Sequence, residues 1–206
     1  MGGLYTLSGF LVGLIVGVRG VGGGSLMTPL LVLVFGVSPA TAVGTDLLYA
    51  SLTKSLGGWV HGRRGSVDWK VVGLLGLGSL PAAVITIALL KYLALDEKTL
   101  RSLVTSVLSA ALLLTAAALL LKAQIKKIAR RKDGTVYELH HRYLPAATIV
   151  TGIIVGVLVT ISSVGAGVLG TVALLFLYPR MPAVKVVGTD IVHAVPLTAL
   201  AGMGHM

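Results

Sequence analysis

The 206-residue chain has no cysteine, only 7 acidic residues and few aromatics, at 5%. Without cysteine it cannot be a secreted disulfide scaffold. Charged residues reach 12%, against about 25% in an ordinary soluble domain. A water-soluble globule must cover its surface with polar groups, and there are too few here, which excludes soluble enzymes and disordered tails. What the chain does contain is 55% hydrophobic residues and 27 glycines, with a mean hydropathy of +0.96. This is the composition of an all-α polytopic membrane protein.

Seventeen basic residues give a net charge of +10, which raises the question of a nucleic-acid partner. Position answers it. The longest basic run, Lys122 to Lys132, directly follows an apolar stretch of spanning length, and no nucleic-acid motif or aromatic interleaving accompanies it. The segment 122–144 therefore reads as a basic cytoplasmic loop under the positive-inside rule, and Ile125 and Ile128 would let it lie along anionic headgroups.

A spanning helix needs about 20 apolar residues. Segments 39–61, 71–91 and 100–121 have that length, and so does 183–206. Residues 4–36 behave differently: two apolar stretches, each too short for a 30 Å core, flank Gly20-Val21-Gly22-Gly23-Gly24. The pattern recurs over 145–179 around Ser162-Ser163-Val164-Gly165-Ala166-Gly167. Each is a re-entrant or broken-helix hairpin, or else two strongly tilted short spans.

The chain also repeats itself. At an offset of 143, Gly9, Gly13, Val21, Gly22, Gly24, Leu26, Thr28, Leu31, Pro39, Ala40 and Val43 recur identically. One residue later in register, Gly44-Thr45-Asp46 returns as Gly188-Thr189-Asp190, and Gly58 and His61 return as Gly202 and His205. Residues 1–121 form the first unit and 145–206 the second, which is incomplete. The first unit makes an odd number of crossings, so the second enters from the opposite side: an inverted repeat, with the N-terminus outside. Charge agrees, because His61, Arg63, Arg64 and Lys70 fall on the same side as Arg180, Lys185 and the basic loop.

The run Gly22-Gly23-Gly24-Ser25-Leu26 followed by Pro29, with Gly44-Thr45 downstream and a degenerate second copy, resembles the sulfite exporter TauE/SafE family of membrane transporters. The resemblance covers nearly the whole chain. It implies export of sulfite, a sulfonate or a related small sulfur-containing anion across the cytoplasmic membrane. The family pattern places a small hydroxyl residue after the threonine, where this chain has Asp46 and Asp190. Counterparts of 71–91 and 100–121 are missing from the second unit, so a truncated chain is expected.

Gly-interrupted short segments at matching places in two halves point to a substrate site, because broken helices leave free N–H groups and positive dipole ends for an anion. Gly22, Gly23, Gly24 and Ser25 in one hairpin, and Ser162, Ser163, Gly165 and Gly167 in the other, are the expected contacts, with Thr45 and Thr189 beside them. Gly9, Gly13 and Gly17 form instead a small-residue packing ridge. Ionisable groups in a span cost about 2.5–3.5 kcal/mol or more and need a reason. Arg19 and Lys54 are expected to bind the anion, and Asp46, Asp190 and His193 to carry a coupling proton, the two aspartates meeting near the pseudo-twofold axis. The bland alternative is a structural network of the same groups. No lysine follows the glycines as a Walker A motif requires, no HExxH or other metal-ligand spacing occurs, and no cofactor is implied. The expected activity is secondary transport by alternating access. A passive anion channel and an intramembrane enzyme using the two aspartates are the competing classes. Oligomeric state is not encoded in these features.

Overall fold

A computed structural model describes residues 2–19, 24–93, 96–130 and 134–205. Among these the chain is all-helical: α1 Gly2–Arg19, α2 Gly24–Leu33, α3 Pro39–Arg63, α4 Trp69–Tyr92, α5 Glu97–Arg130, α6 Gly134–Ser162, α7 Val168–Leu177 and α8 Ala183–Gly204. Four stretches are long and apolar enough to cross a bilayer: Trp69–Tyr92, Lys98–Leu121, Tyr143–Ser162 and Ala183–Gly204. The 25-residue α3 has the length but carries Asp46, Lys54 and a run of serine, threonine and glycine. Large apolar side chains face outward along these helices, among them Leu77, Ile85, Leu113, Leu120 and Ile154, as a lipid-facing surface requires.

Local chemistry sets the helix starts. Ser38 accepts the Thr41 N–H, and Pro39, whose missing N–H costs nothing there, opens α3. Asp68 caps α4 by accepting the Val71 N–H. Asp96 accepts both the N–H and the hydroxyl of Thr99 at the start of α5, and these bonds hold its carboxyl below the usual carboxylate range.

Two features differ from the sequence expectation. The basic segment 122–144 is helical on both sides, since α5 continues to Arg130 and α6 begins at Gly134. The arm read as a short 145–161 therefore belongs to a 29-residue helix, because Pro145 does not end α6 but lies within it. Only the return arm α7 is short. Its ten residues rise about 15 Å, half a hydrocarbon core.

Glycine lets the helices touch by their backbones. A methyl group on Gly78 of α4 would lie 2.1 Å from the Ile149 carbonyl oxygen of α6, and on Gly152 and Gly156 it would lie 2.4 and 2.6 Å from the Leu75 and Ser79 carbonyl oxygens. The order of these pairs makes α4 and α6 parallel. The copies of Gly152 and Gly156 in the first unit are Gly9 and Gly13. There, among the described residues, a Cβ on Gly9 of α1 would meet nothing within 4 Å and one on Gly13 only the Tyr49 hydroxyl at 4.0 Å. Gly17 lies within α1, and its surroundings fall outside the description.

Helices α3 and α8 pack antiparallel through reciprocal contacts. A Cβ on Gly44 would lie 2.9 Å from the His205 Cβ, and one on Gly188 would lie 2.9 Å from the His61 Nδ1. Likewise Gly202 meets Leu48 at 2.9 Å and Gly58 meets Val192 at 3.4 Å. Each contact is thus made twice, with the equivalent residues exchanged. His61 and His205 wedge into glycine notches, and their ring nitrogens are paired with the Ser66 hydroxyl at 2.8 Å and the Thr160 carbonyl at 2.6 Å.

The chain has no cysteine of its own, so this register is directly checkable. The double variant Gly58→Cys/Val192→Cys is expected to form an intramolecular disulfide on oxidation, because a Gly58 Cβ lies 3.9 Å from the Val192 Cα. The pair Gly58→Cys/Met203→Cys is expected to stay reduced, about 16 Å apart along the interface. A mobility shift on non-reducing gels reads both.

At one end of the bundle, Lys185 forms a 3.2 Å ion pair with Asp68, and Thr189 accepts the Asp68 N–H at 2.9 Å. The α3–α4 and α7–α8 connections therefore lie at the same end. The core between the helices is built from Val43, Leu47, Ala83, Val104, Val159, Ala194, Leu197 and Ala201.

Candidate functional site

The buried charges of the described residues gather on the α3–α8 pair. Asp46 and Asp190 are 1% and 2% exposed, and each accepts a hydroxyl from the short helix of its own unit: Thr28 to Asp46 Oδ2 at 2.7 Å, and Thr171 to Asp190 Oδ2 at 3.0 Å. Thr28 and Thr171 are repeat equivalents, so the same threonine-to-aspartate bond is made twice. A buried carboxyl needs such donors, or its burial would cost several kcal/mol. Asp46 receives a second hydroxyl from Ser163 at 2.7 Å, across the two units. The equivalent of Ser163 is Gly20, which has no hydroxyl to return the bond. In both carboxyls the other oxygen, Oδ1, has no hydrogen-bond partner among the described residues.

The aspartates do not meet, contrary to the sequence expectation. Contacts 44–205 and 61–188 centre the reciprocal pairing near Leu52 and Thr53, so Asp46 and Asp190 lie on opposite sides of that centre, about 20 Å apart along the helices. Lys54 stands between them, within electrostatic reach of both. Its ammonium donates to the carbonyl of Ala166.

One stretch of chain touches all three groups in order. Ser163 bonds Asp46, Ala166 receives Lys54, and Gly170 and Thr171 lie against Asp190. The backbone makes this possible with three left-handed residues, Ser163 at φ 58°, Gly165 at φ 117° and Gly167 at φ 138°. Glycine adopts such angles freely, whereas serine does so at a cost of about 1–3 kcal/mol, and the hydrogen bond to Asp46 accompanies that strain. Gly170 has no side chain for a separate reason. A Cβ there would lie 2.0 Å from Asp190 Oδ1. Gly170→Ala is expected to expel the carboxyl and break its Thr171 bond, and Thr171→Val to remove that bond alone at a cost of about 1–3 kcal/mol. The thermal unfolding midpoint should fall in both, and further in the first.

The other expected site residues are placed as follows. His193 is 2% exposed and paired through Nε2 with the Ser79 hydroxyl of α4 at 2.7 Å, within the field of Lys54. The Ser162 hydroxyl donates to the Leu158 carbonyl at 2.7 Å and accepts the Val164 N–H at 3.2 Å, so it closes the end of α6. Thr189 is committed to Asp68, and Thr45 is exposed on the outer side of α3. Gly24 opens α2, while Gly22, Gly23 and the side chains of Arg19 and Ser25 lie outside the described residues. Sequence reasoning missed Thr28, Thr171, Ser79 and the Ala166 carbonyl. The two threonines carried a signal, being identical in both repeats. The carbonyl carried none.

Residues 5–206 match the family model described as Sulfite exporter TauE/SafE. The chain belongs to this family of membrane transporters. Among curated relatives, the TauE/SafE chain is 36% identical over 197 residues to the "Probable membrane transporter protein YjnA" of Bacillus subtilis (strain 168), covering 96% of this chain and 76% of that protein. The "Probable membrane transporter protein YdhB" of the same organism is 26% identical over 207 residues, covering 98% and 78%. No solved structure matches the chain. As a TauE/SafE member with four helices of spanning length, it is an integral membrane protein.

Proposed function

We propose that this TauE/SafE chain is a secondary transporter that exports sulfite, a sulfonate or a related small sulfur-containing anion across the cytoplasmic membrane by alternating access. One observation carries the reading: an ammonium at the centre of the α3–α8 pair, Lys54, faces a backbone carbonyl in an interrupted helix and is flanked by two buried carboxyls. A permanent structural cation would be paired with a carboxylate. A cation held by a carbonyl can exchange that partner for an anion.

The two units act as an inverted repeat in this reading, with the N-terminus outside and 122–144 cytoplasmic. Reciprocal α3–α8 contacts support it, as does the grouping of the basic α3–α4 and α7–α8 connections at one end. Lys54 and the hairpin residues Gly22, Gly23, Gly24, Ser25, Ser163, Gly165 and Gly167 contact the anion in the buried site, and Arg19 meets it earlier, at the mouth of the first hairpin. Asp46 and Asp190 hold the coupling protons, and His193, uncharged at rest, relays them.

Purified protein in proteoliposomes, loaded with sulfite or methanesulfonate, tests this. Efflux that saturates with internal anion supports a carrier, whereas efflux linear in concentration indicates a channel. Efflux no faster than from protein-free vesicles for any sulfur anion removes the substrate assignment.

A further inference from the structure

We propose that the Asp46–Lys54–Asp190 ladder takes up one proton with each monovalent anion it binds, the anion replacing the Ala166 carbonyl on Lys54 and the proton settling on an aspartate Oδ1. This rests on the anion-transport reading above and adds its stoichiometry.

The argument is a count of buried charge. Facing the ladder from α3 are Asp46 and Lys54, and from α8 Asp190 and His193. Among the described residues, the short helices and α4 and α6 offer it only hydroxyls and backbone: Thr28, Thr171, Ser79, Ser163 and the Ala166 carbonyl. His193 is 2% exposed and hydrogen-bonded to a neutral serine, so it enters the count uncharged. Two carboxylates and one ammonium sum to minus one. An unbalanced charge in this interior is strongly disfavoured, so the empty site holds one proton on its two aspartates and is neutral.

An arriving monoanion restores the deficit. Pairing it with Lys54 leaves the site at minus one unless the second aspartate is also protonated. The structure provides the place for each proton. Oδ2 of both carboxyls is already an acceptor of hydroxyl hydrogen bonds, and Oδ1 of both is buried without a partner among the described residues. The proton comes from solution and the anion charge cancels it, so no other species is required.

The count has an unusual consequence for variants. With either aspartate replaced by asparagine, the empty site is one carboxylate and one ammonium, already neutral. Anion binding must still protonate the remaining carboxylate. Only when both are replaced does Lys54 meet the anion with no proton involved.

Methanesulfonate is the probe, because a sulfonate keeps its single charge across the working pH range. Detergent-purified protein in weakly buffered solution is titrated with it while a pH indicator counts protons and calorimetry counts bound anion. About one proton per anion is expected for the wild type, and the same for Asp46→Asn and for Asp190→Asn. Asp46→Asn/Asp190→Asn should take up none. Apparent affinity of the wild type should weaken about tenfold per pH unit once the second carboxyl is ionised in the empty site. Binding without proton uptake in the wild type overturns the proposal and leaves anion transport standing. So does a single variant with no uptake, or a double variant that still takes one. If neither methanesulfonate nor sulfite binds the wild type at any pH, the anion reading itself has failed. Should a variant not fold, the wild-type count decides alone.

Discussion

Gly78→Leu is expected to yield no folded protein. The Gly78 Cα faces the backbone of α6 so closely that even a methyl group would lie 2.1 Å from the Ile149 carbonyl oxygen and 2.9 Å from the Ile153 nitrogen. Backbone atoms cannot turn aside as a flexible side chain can. A leucine must drive α4 and α6 apart, and with them the facing contacts at Gly152 and Gly156. Lipid supplies no hydrophobic force to hold the separated helices, since association in a bilayer depends on close packing itself. The loss should exceed about 4 kcal/mol, a large fraction of a domain's total stability. Size-exclusion profiles of detergent extracts read the outcome. Gly73→Leu, on the exposed face of the same helix with nothing within 4 Å, should give the wild-type profile.

Lys54→Gln is expected to fold and to lose anion binding and flux by about 100-fold or more, the scale of removing one partner from a desolvated charge pair. Folding should survive because the ammonium's hydrogen bond goes to the Ala166 carbonyl, which a glutamine amide can still satisfy, and because the aspartates keep their threonine donors. Binding should not survive. A neutral amide gives an anion no charge, and with Lys54 gone the charged groups left in the buried ladder among the described residues are the carboxyls of Asp46 and Asp190. Lys54→Arg is the informative companion. It retains the charge, so it should retain measurable binding with altered selectivity. A purely structural lysine would instead lose stability in both variants and binding in neither.

How much of this could be read before the structure varies with the kind of force involved. The helical membrane class followed from the shortage of charge, and α3, α4 and α8 begin within two residues of where apolar length placed them. Identity between repeats marked Thr28, Thr171, Gly44, Gly188, His61 and His205, all of which make reciprocal contacts. Hydropathy could not find the true start of α6. His140, His141 and Pro145 look like loop, yet a helix crossing from water to lipid can carry polar residues in its outer turns. The separation of the aspartates was hidden for a geometric reason. Equivalent residues on two antiparallel helices coincide only at the symmetry centre, and Asp46 lies about 10 Å from it. The Ala166 carbonyl was invisible because every residue carries one. Only the fold decides which of them faces a lysine. Ser162 and Ser163 show the same limit: adjacent and chemically identical, one closes α6 while the other, turned left-handed at φ 58°, reaches Asp46.

Concentrative uptake tests the central claim most directly. Proteoliposomes containing the full chain are held acid outside and alkaline inside, with labelled methanesulfonate in the external medium. The account predicts that wild-type protein raises internal methanesulfonate transiently above the external concentration and that Asp46→Asn/Asp190→Asn brings it only to equality. Internal anion that never exceeds external in the wild type, or that accumulates equally in the double variant, would contradict it.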